Sequence, residues 1–157
     1  MQDKRFEGTL KLCSLKGAHM RNKKRIMVCV TQQKSCERLI KRGAALLDSK
    51  HGELHVVHVV KENWKYFGSL KESDALEYLF DVSKEYDGVL NVMKAQDIES
   101  TLNDFAENNK VDIVVMGESL EATAQQNMIK RFQNKTSKEL HFDIVPLAFE
   151  ETRQKTV

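Results

Sequence analysis

Short β-branched apolar runs that alternate with stretches of helical spacing constrain this chain more than any other feature. Arg25 to Thr31 (RIMVCVT), Leu54 to Val60 (LHVVHVV) and Val111 to Met116 (VDIVVM) are the clearest runs, and Val89 to Met93 (VLNVM) is weaker. Apolar residues at successive positions mark strands covered on both faces, as in a parallel sheet. Between the runs, Ser35 stands where it can cap a helix carrying Leu39, Ile40, Gly43, Ala44, Leu46 and Leu47 on one face, and His51-Gly52 stops it. Ser69 and Glu72 form a capping box ahead of Leu76, Leu79 and Phe80, and Asp87-Gly88 ends that helix. Asp97 can cap a third helix with Ile98, Leu102, Phe105 and Ala106 facing inward, and a fourth runs from about Gln126 to Leu140 on Met128, Ile129 and Phe132. Phe142 to Phe149 (FDIVPLAF) closes the series as a strand. Pro146 cannot donate a ladder bond there, which predicts an edge. Alternation of this kind predicts an α/β fold: a doubly wound parallel sheet of five strands with helices on both faces.

The 157 residues suit one domain, and 41% apolar content is enough to bury its core. Residues 23–150 form the expected domain. Residues 1–22 mix Lys, Gly and isolated apolar side chains without a period and read as a disordered tail, as do residues 151–157. Gly17-Ala18-His19-Met20 resembles a cloning scar, with Met20 as an alternative start. A net charge of +2 argues against a nucleic-acid binder. No apolar run is long enough to insert in a membrane, and no secretory leader is visible. Three cysteines without close spacing fit a reducing compartment, so the expected location is the cytoplasm.

In doubly wound sheets, ligands bind outside the carboxyl ends of the strands where the strand order reverses. The turns at Thr31 to Ser35 and Gly117 to Gln126 are therefore the candidate site. The first (TQQKS) offers a hydroxyl, amides, an ammonium and a helix N-terminus suited to an anion. The second (GESLEATAQQ) opens on Gly117, which permits close backbone approach. Ordinary βα turns have similar composition. The expected ligand-binding residues are Thr31, Gln33, Ser35, Gly117 and Ser119, with His58 near the mouth.

Other residues point to less. His55 and His58 lie three apart on a strand, so they face opposite sides and cannot share a metal. Cys36 in a first helical turn reads as a half-buried thiol and Cys29 as a core filler. Trp64, Tyr66 and Phe67 could form a lid over the crevice, although such aromatics more often pack the loop onto the sheet end. Lys130, Arg131, Lys135 and Lys138 make the fourth helix basic, either as a solvated face or as an anion or acidic-partner site. No acid–base or nucleophile constellation stands out, and the expectation is a protein without catalytic activity, catalytic residues or a metal.

Residues 25–60 resemble the universal stress protein family, most specifically in Ser35 to Arg42 (SCERLIKR) and Glu53 to Val57 (ELHVV); Val111 to Gly117 (VDIVVMG) resembles its fourth strand. Within the family the likeness is greatest to the universal-stress-type domain of the potassium sensor kinase KdpD. The resemblance spans about Lys23 to Phe149. It implies a Rossmann-like sheet in the order 3-2-1-4-5, a homodimer through the Phe142–Phe149 edge strand, and a regulatory role in stress or potassium signalling, through a small anionic ligand or a signalling partner. Nucleotide-binding members carry an acidic residue at the end of the first strand, where this chain has Thr31. They also carry a glycine-rich loop after the fourth strand, where Leu120 and Asn134 replace glycines. The KdpD likeness extends to a pattern tied to cyclic di-adenosine monophosphate, with Thr31, Gln33, Leu54, His55, Val56 and His58 at its positions. The cofactors implied are thus ATP or the cyclic dinucleotide, neither with a complete motif. The alternatives are an ATP-binding or slowly hydrolysing protein, in which Glu118, Ser119 and Thr123 replace the glycine loop, and a structural dimerisation domain without ligand.

Overall fold

The central strands are apolar on both sides because helices cover both sides. The computed structural model of the chain describes residues 23–31, 36–47, 51–62 and 70–147. These form β1 (Arg25–Cys29), α1 (Cys36–Ala45), β2 (Glu53–Lys61), α2 (Leu70–Glu85), β3 (Val89–Ala95), α3 (Ile98–Asn108), β4 (Ile113–Gly117), α4 (Ala122–Lys135) and β5 (His141–Val145). All strand pairs are parallel, in the order β3-β2-β1-β4-β5. The alternation expected from sequence is therefore the observed architecture. The tails, Gln33, Ser35, the cap at Ser69, the aromatics Trp64, Tyr66 and Phe67, and Phe149 lie outside the described residues.

Period-two alternation sorts the side chains into two cores. Ile26, Val28, Leu54, Val56, Ile113 and Val115 point to one face, beneath Leu39 and Ile40 of α1 and Leu79 and Val82 of α2. Met27, Val57, Val114 and Met116 point to the other, beneath Ala106 of α3 and Phe132 of α4. His58 and His55 follow the same rule: His58 bonds Val30 on the α1/α2 face, whereas His55 packs edge-on against Phe105 of α3. At the outset of β2, Glu53 takes Lys23, with Arg25 also close, and these partners with His55 hold its carboxyl down at about 2.

Element boundaries differ from expectation where distant bonds set them. β1 stops at Cys29; Val30 N–H makes a last bond to Val57 O before the chain turns. β4 starts at Ile113, because Val111 N–H closes the end of α3 on Ala106 O and Asp112 is tied to Arg25 through both its backbone N–H and its carboxylate. α1 ends at Ala45, so Leu46 and Leu47 pack from the turn beyond it. Asp87 takes a left-handed φ of 58° after α2, and Gly88 N–H closes on Ser83 O. Asp97 occupies the N-cap position of α3 with its carbonyl as the acceptor, receiving both Thr101 N–H and Thr101 Oγ1; its carboxylate makes no capping bond. α4 starts earlier and ends earlier than the expected span from Gln126 to Leu140. Thr136 is extended, and Ser137 is held by the Glu107 carboxylate, which frees buried Leu140 to lead into β5. Among the described residues no helix is long and apolar enough to cross a membrane.

β5 lies at an edge, as expected, but it stops at Val145, so Pro146 lies just beyond the strand and not within the expected span from Phe142 to Phe149; two arginines of α1 hold this segment. Arg42 makes a two-pronged bond to Asp143, and Arg38 donates to Pro146 O at 2.8 Å. His141 N–H and Val145 O bond toward β4, so the in-plane groups of Phe142 and Ile144 face the open edge.

Candidate functional site

β1 and β4 are neighbours, yet the chain leaves β1 for α1 on one face and β4 for α4 on the other. The chain thus passes to opposite faces after these strands, the arrangement that leaves a crevice where the strand order of a doubly wound sheet reverses. Thr31 and Gly117 stand at its two sides.

On the β1 side, Cys36 closes the turn. Its thiol accepts Thr31 N–H at 3.3 Å and donates to Thr31 O at 3.1 Å, with Thr31 Oγ1 at 3.6 Å. The thiol is buried rather than half-buried, because it fills the first turn of α1 against the core. Thr31 itself is exposed at the rim. Tyr78 of α2 packs onto the same core, and burial raises its hydroxyl above the ordinary value, with the carboxylates of Glu37 and Glu85 adding to the effect. Cys29 lies across the sheet, where burial pushes its thiol up to about 12.

His58 sits lower than the mouth. The pairing of Cys29 with Val57 places it beside Val30; its side chain is buried, and Nδ1 lies 3.1 Å from Val30 O.

On the β4 side the turn is bonded to itself. Glu118 N–H reaches Val145 O at 2.8 Å. The Gln125 amide spans the turn, donating to Gly117 O at 2.9 Å and accepting Ser119 N–H at 3.1 Å. Ser119 Oγ accepts Glu121 N–H. The backbone N–H groups of Glu118, Ser119 and Glu121 are thus already engaged. The Glu118 carboxylate holds Leu147 N–H and keeps a negative charge at this rim. Leu120 projects into solvent, 60% exposed. A Cβ on Gly117 would meet Leu39 at an ordinary 3.7 Å, so the turn itself does not demand glycine.

The structure thus brings Thr31, Gly117 and Ser119 to one end of the sheet, with His58 beneath. Sequence reasoning missed Gln125, whose reach depends on α4 starting at Ala122. It also missed the Cys36–Thr31 clasp, although a thiol and a hydroxyl bracketing a βα turn were visible. Of the basic residues on and after α4, Arg131 bonds Glu99 of α3, and Lys138, beyond the helix, bonds Asp112 and Lys110 O. An open cleft of about 220 Å³ lies at the opposite end of the sheet, where Glu107 and Ser137 satisfy one another, and it is remote from the crevice. Among the described residues no three His, Cys, Asp or Glu side chains gather as metal ligands.

The sequence pattern of the universal stress protein family matches residues 23–135. No curated protein sequence matches the chain. Among solved structures, the chain is similar to the hypothetical protein MJ0577 at 16% identity and TM-score 0.58, over 80% of this chain and 96% of that one. It is similar to a universal stress protein from Archaeoglobus fulgidus at 13% identity and TM-score 0.58, over 80% and 93%. A universal stress protein in complex with cAMP aligns at 15% identity and TM-score 0.55, over 80% and 98%. At these identities the likeness concerns the fold.

Proposed function

The chain belongs to the universal stress protein family, and we propose that it is a non-catalytic regulatory module of that family. It works in the cytoplasm and takes a small anionic ligand of the nucleotide class, or a signalling partner, at the crevice between β1 and β4, in the stress or potassium signalling suggested by its likeness to the KdpD domain. The observation that separates this reading from an ATP-binding one is the β4–α4 turn, where Gln125 and Ser119 already engage the N–H groups of Ser119 and Glu121. Thr31 in place of an acidic residue, and the Glu118 charge at the rim, add to it. A nucleotide in a family neighbour supports the ligand class, since that protein is in complex with cAMP. Calorimetry with ATP and magnesium, cAMP and cyclic di-adenosine monophosphate tests the reading. ATP binding should be weak or absent and hydrolysis negligible, and Gln125→Ala should tighten ATP binding about tenfold by releasing Ser119 N–H to a charged acceptor. Low-micromolar ATP affinity in the parent would refute it.

We also propose a homodimer through the β5 edge, restricted to the in-plane groups of Phe142 and Ile144, because Pro146 has no N–H and its carbonyl is held by Arg38. Light scattering at high micromolar concentration should give twice the chain mass; a monomer would sink this.

A further inference from the structure

The two edges of the sheet are not alike. β5 has five residues, Pro146 follows it, and Arg38 holds the proline carbonyl. β3, at the other edge, has seven residues, no proline and an unbroken register with β2. Its one charged residue, Lys94, lies toward the carboxyl end. Ala95 O accepts Glu62 N–H, so the in-plane groups of Ala95 face β2. Those of every second residue do the same, and Leu90 and Val92 turn theirs outward. An edge of this length without a proline or bulge is a template for another strand. Apolar surface beside it is also open. Leu90 packs beneath α2, and Val92, two residues on, is 39% exposed on the same side of the sheet. Phe80 of α2 is 50% exposed, with Lys84 Nζ 5.4 Å from its ring centroid. Tyr78 lies on the α1 flank of α2, where Glu37 acts on its hydroxyl; Phe80, about 200° further round the helix, looks away from α1. Asp74, Glu77 and Asp81 share the outer face of α2, exposed and without an ion pair among the described residues. Like charges at this spacing weaken a helix rather than hold it.

We propose that the β3 edge docks an extended segment of a partner protein in which apolar and basic residues alternate, added to the sheet as a strand beside Leu90 and Val92. The outward N–H and C=O groups specify a strand, because only another backbone in extended form can match them in series. Val92 and Phe80 specify apolar side chains on the α2 side. The unpaired carboxylates of Asp74, Glu77 and Asp81 specify positive charge, which they attract before contact is made. This surface is at the opposite edge from β5 and does not depend on the crevice.

The probe is a capped, fluorescently labelled peptide of alternating lysine and valine, titrated with the full chain and read by anisotropy. The parent should bind it saturably. The same peptide with methylated backbone nitrogens keeps its charge and side chains but cannot donate, and should bind about tenfold more weakly. A glutamate–valine peptide should also bind more weakly. Val92→Pro removes an outward N–H but no bond to β2, so it should weaken binding about tenfold while the urea midpoint stays near that of the parent. Phe80→Ser should weaken binding as well. A parent that binds none of the peptides overturns the proposal. So does one that binds the methylated peptide equally, since charge alone would then be the cause, or the glutamate peptide equally. If light scattering shows that Val92→Pro lowers the mass of the parent assembly, the edge is occupied by a second copy, and the partner segment is overturned; a dimer through β5 would survive that change. The comparison of peptides on the parent needs no variant to fold.

Discussion

Replacing Phe132 by alanine should destabilise the protein by about 3–5 kcal/mol, the range for emptying a fully buried aromatic site. Phe132 has no exposed surface, and it is the buried residue of α4. Its ring meets Phe142 of β5 edge-on, with centroids 5.5 Å apart and planes at 85°, in a cluster with Met27, Val57, Val114 and Met116. An aromatic pair in this geometry adds about 0.5–1.5 kcal/mol beyond area burial. The rest of the apolar stripe expected for α4, Met128 and Ile129, is only partly buried, so little else anchors the helix. The loss should therefore reach the crevice: with α4 loosened, Gln125 no longer spans the turn from Gly117 to Ser119. Urea unfolding measures the first effect, and amide exchange at Ser119 the second. A loss under about 1.5 kcal/mol would show that the cavity collapses and that α4 is held by other contacts.

Gly43→Val should cost about 3 kcal/mol, at the upper end for overpacking a core. A Cβ at Gly43 would lie 2.5 Å from Val28 Cγ2 and 3.0 Å from Leu54 Cδ1. Val28 has no exposed surface and Leu54 is 3% exposed, and the β-branched Val28 has few rotamers to retreat into. Glycine is there because α1 rides directly on β1 and β2. Gly43→Ala tests the balance, since alanine favours a helix by about 1 kcal/mol over glycine. The clash should outweigh that gain, and a Gly43→Ala variant more stable than the parent in chemical denaturation would refute the account. Lifting α1 would also pull Cys36 from Thr31, and Arg38 and Arg42 from β5, so the valine variant should expose the Cys36 thiol to labelling.

Much of this was readable beforehand, because period-two patterning and chain alternation are local properties. Both faces of β1 and β4 had to be covered, so the sheet had to be parallel with a helix in each connection. His55 and His58, three apart on a strand, had to face opposite cores. Pro146 implied an edge for the last strand, and β5 is at the edge, though it ends one residue before the proline. What failed was set by side-chain partners that no local periodicity reveals. The start of α4 rests on the Gln125 amide reaching back to Gly117 and Ser119, with no side-chain bond from the N-cap Glu121. Its end rests on Glu107 of α3 holding Ser137.

The candidate site divides the same way. The amino-acid sequence by itself determined the alternation of strands and helices; the strand order, and with it which turns flank the point of reversal, was implied by the family resemblance and is the order observed. Only the tertiary structure decided what each polar group is free to do. Hydrogen-bond capacity is spent pairwise, and no spacing rule reveals that Ser119 N–H belongs to Gln125, that Cys36 is occupied by Thr31, or that Val30 O leaves His58 Nε2 with an unused lone pair.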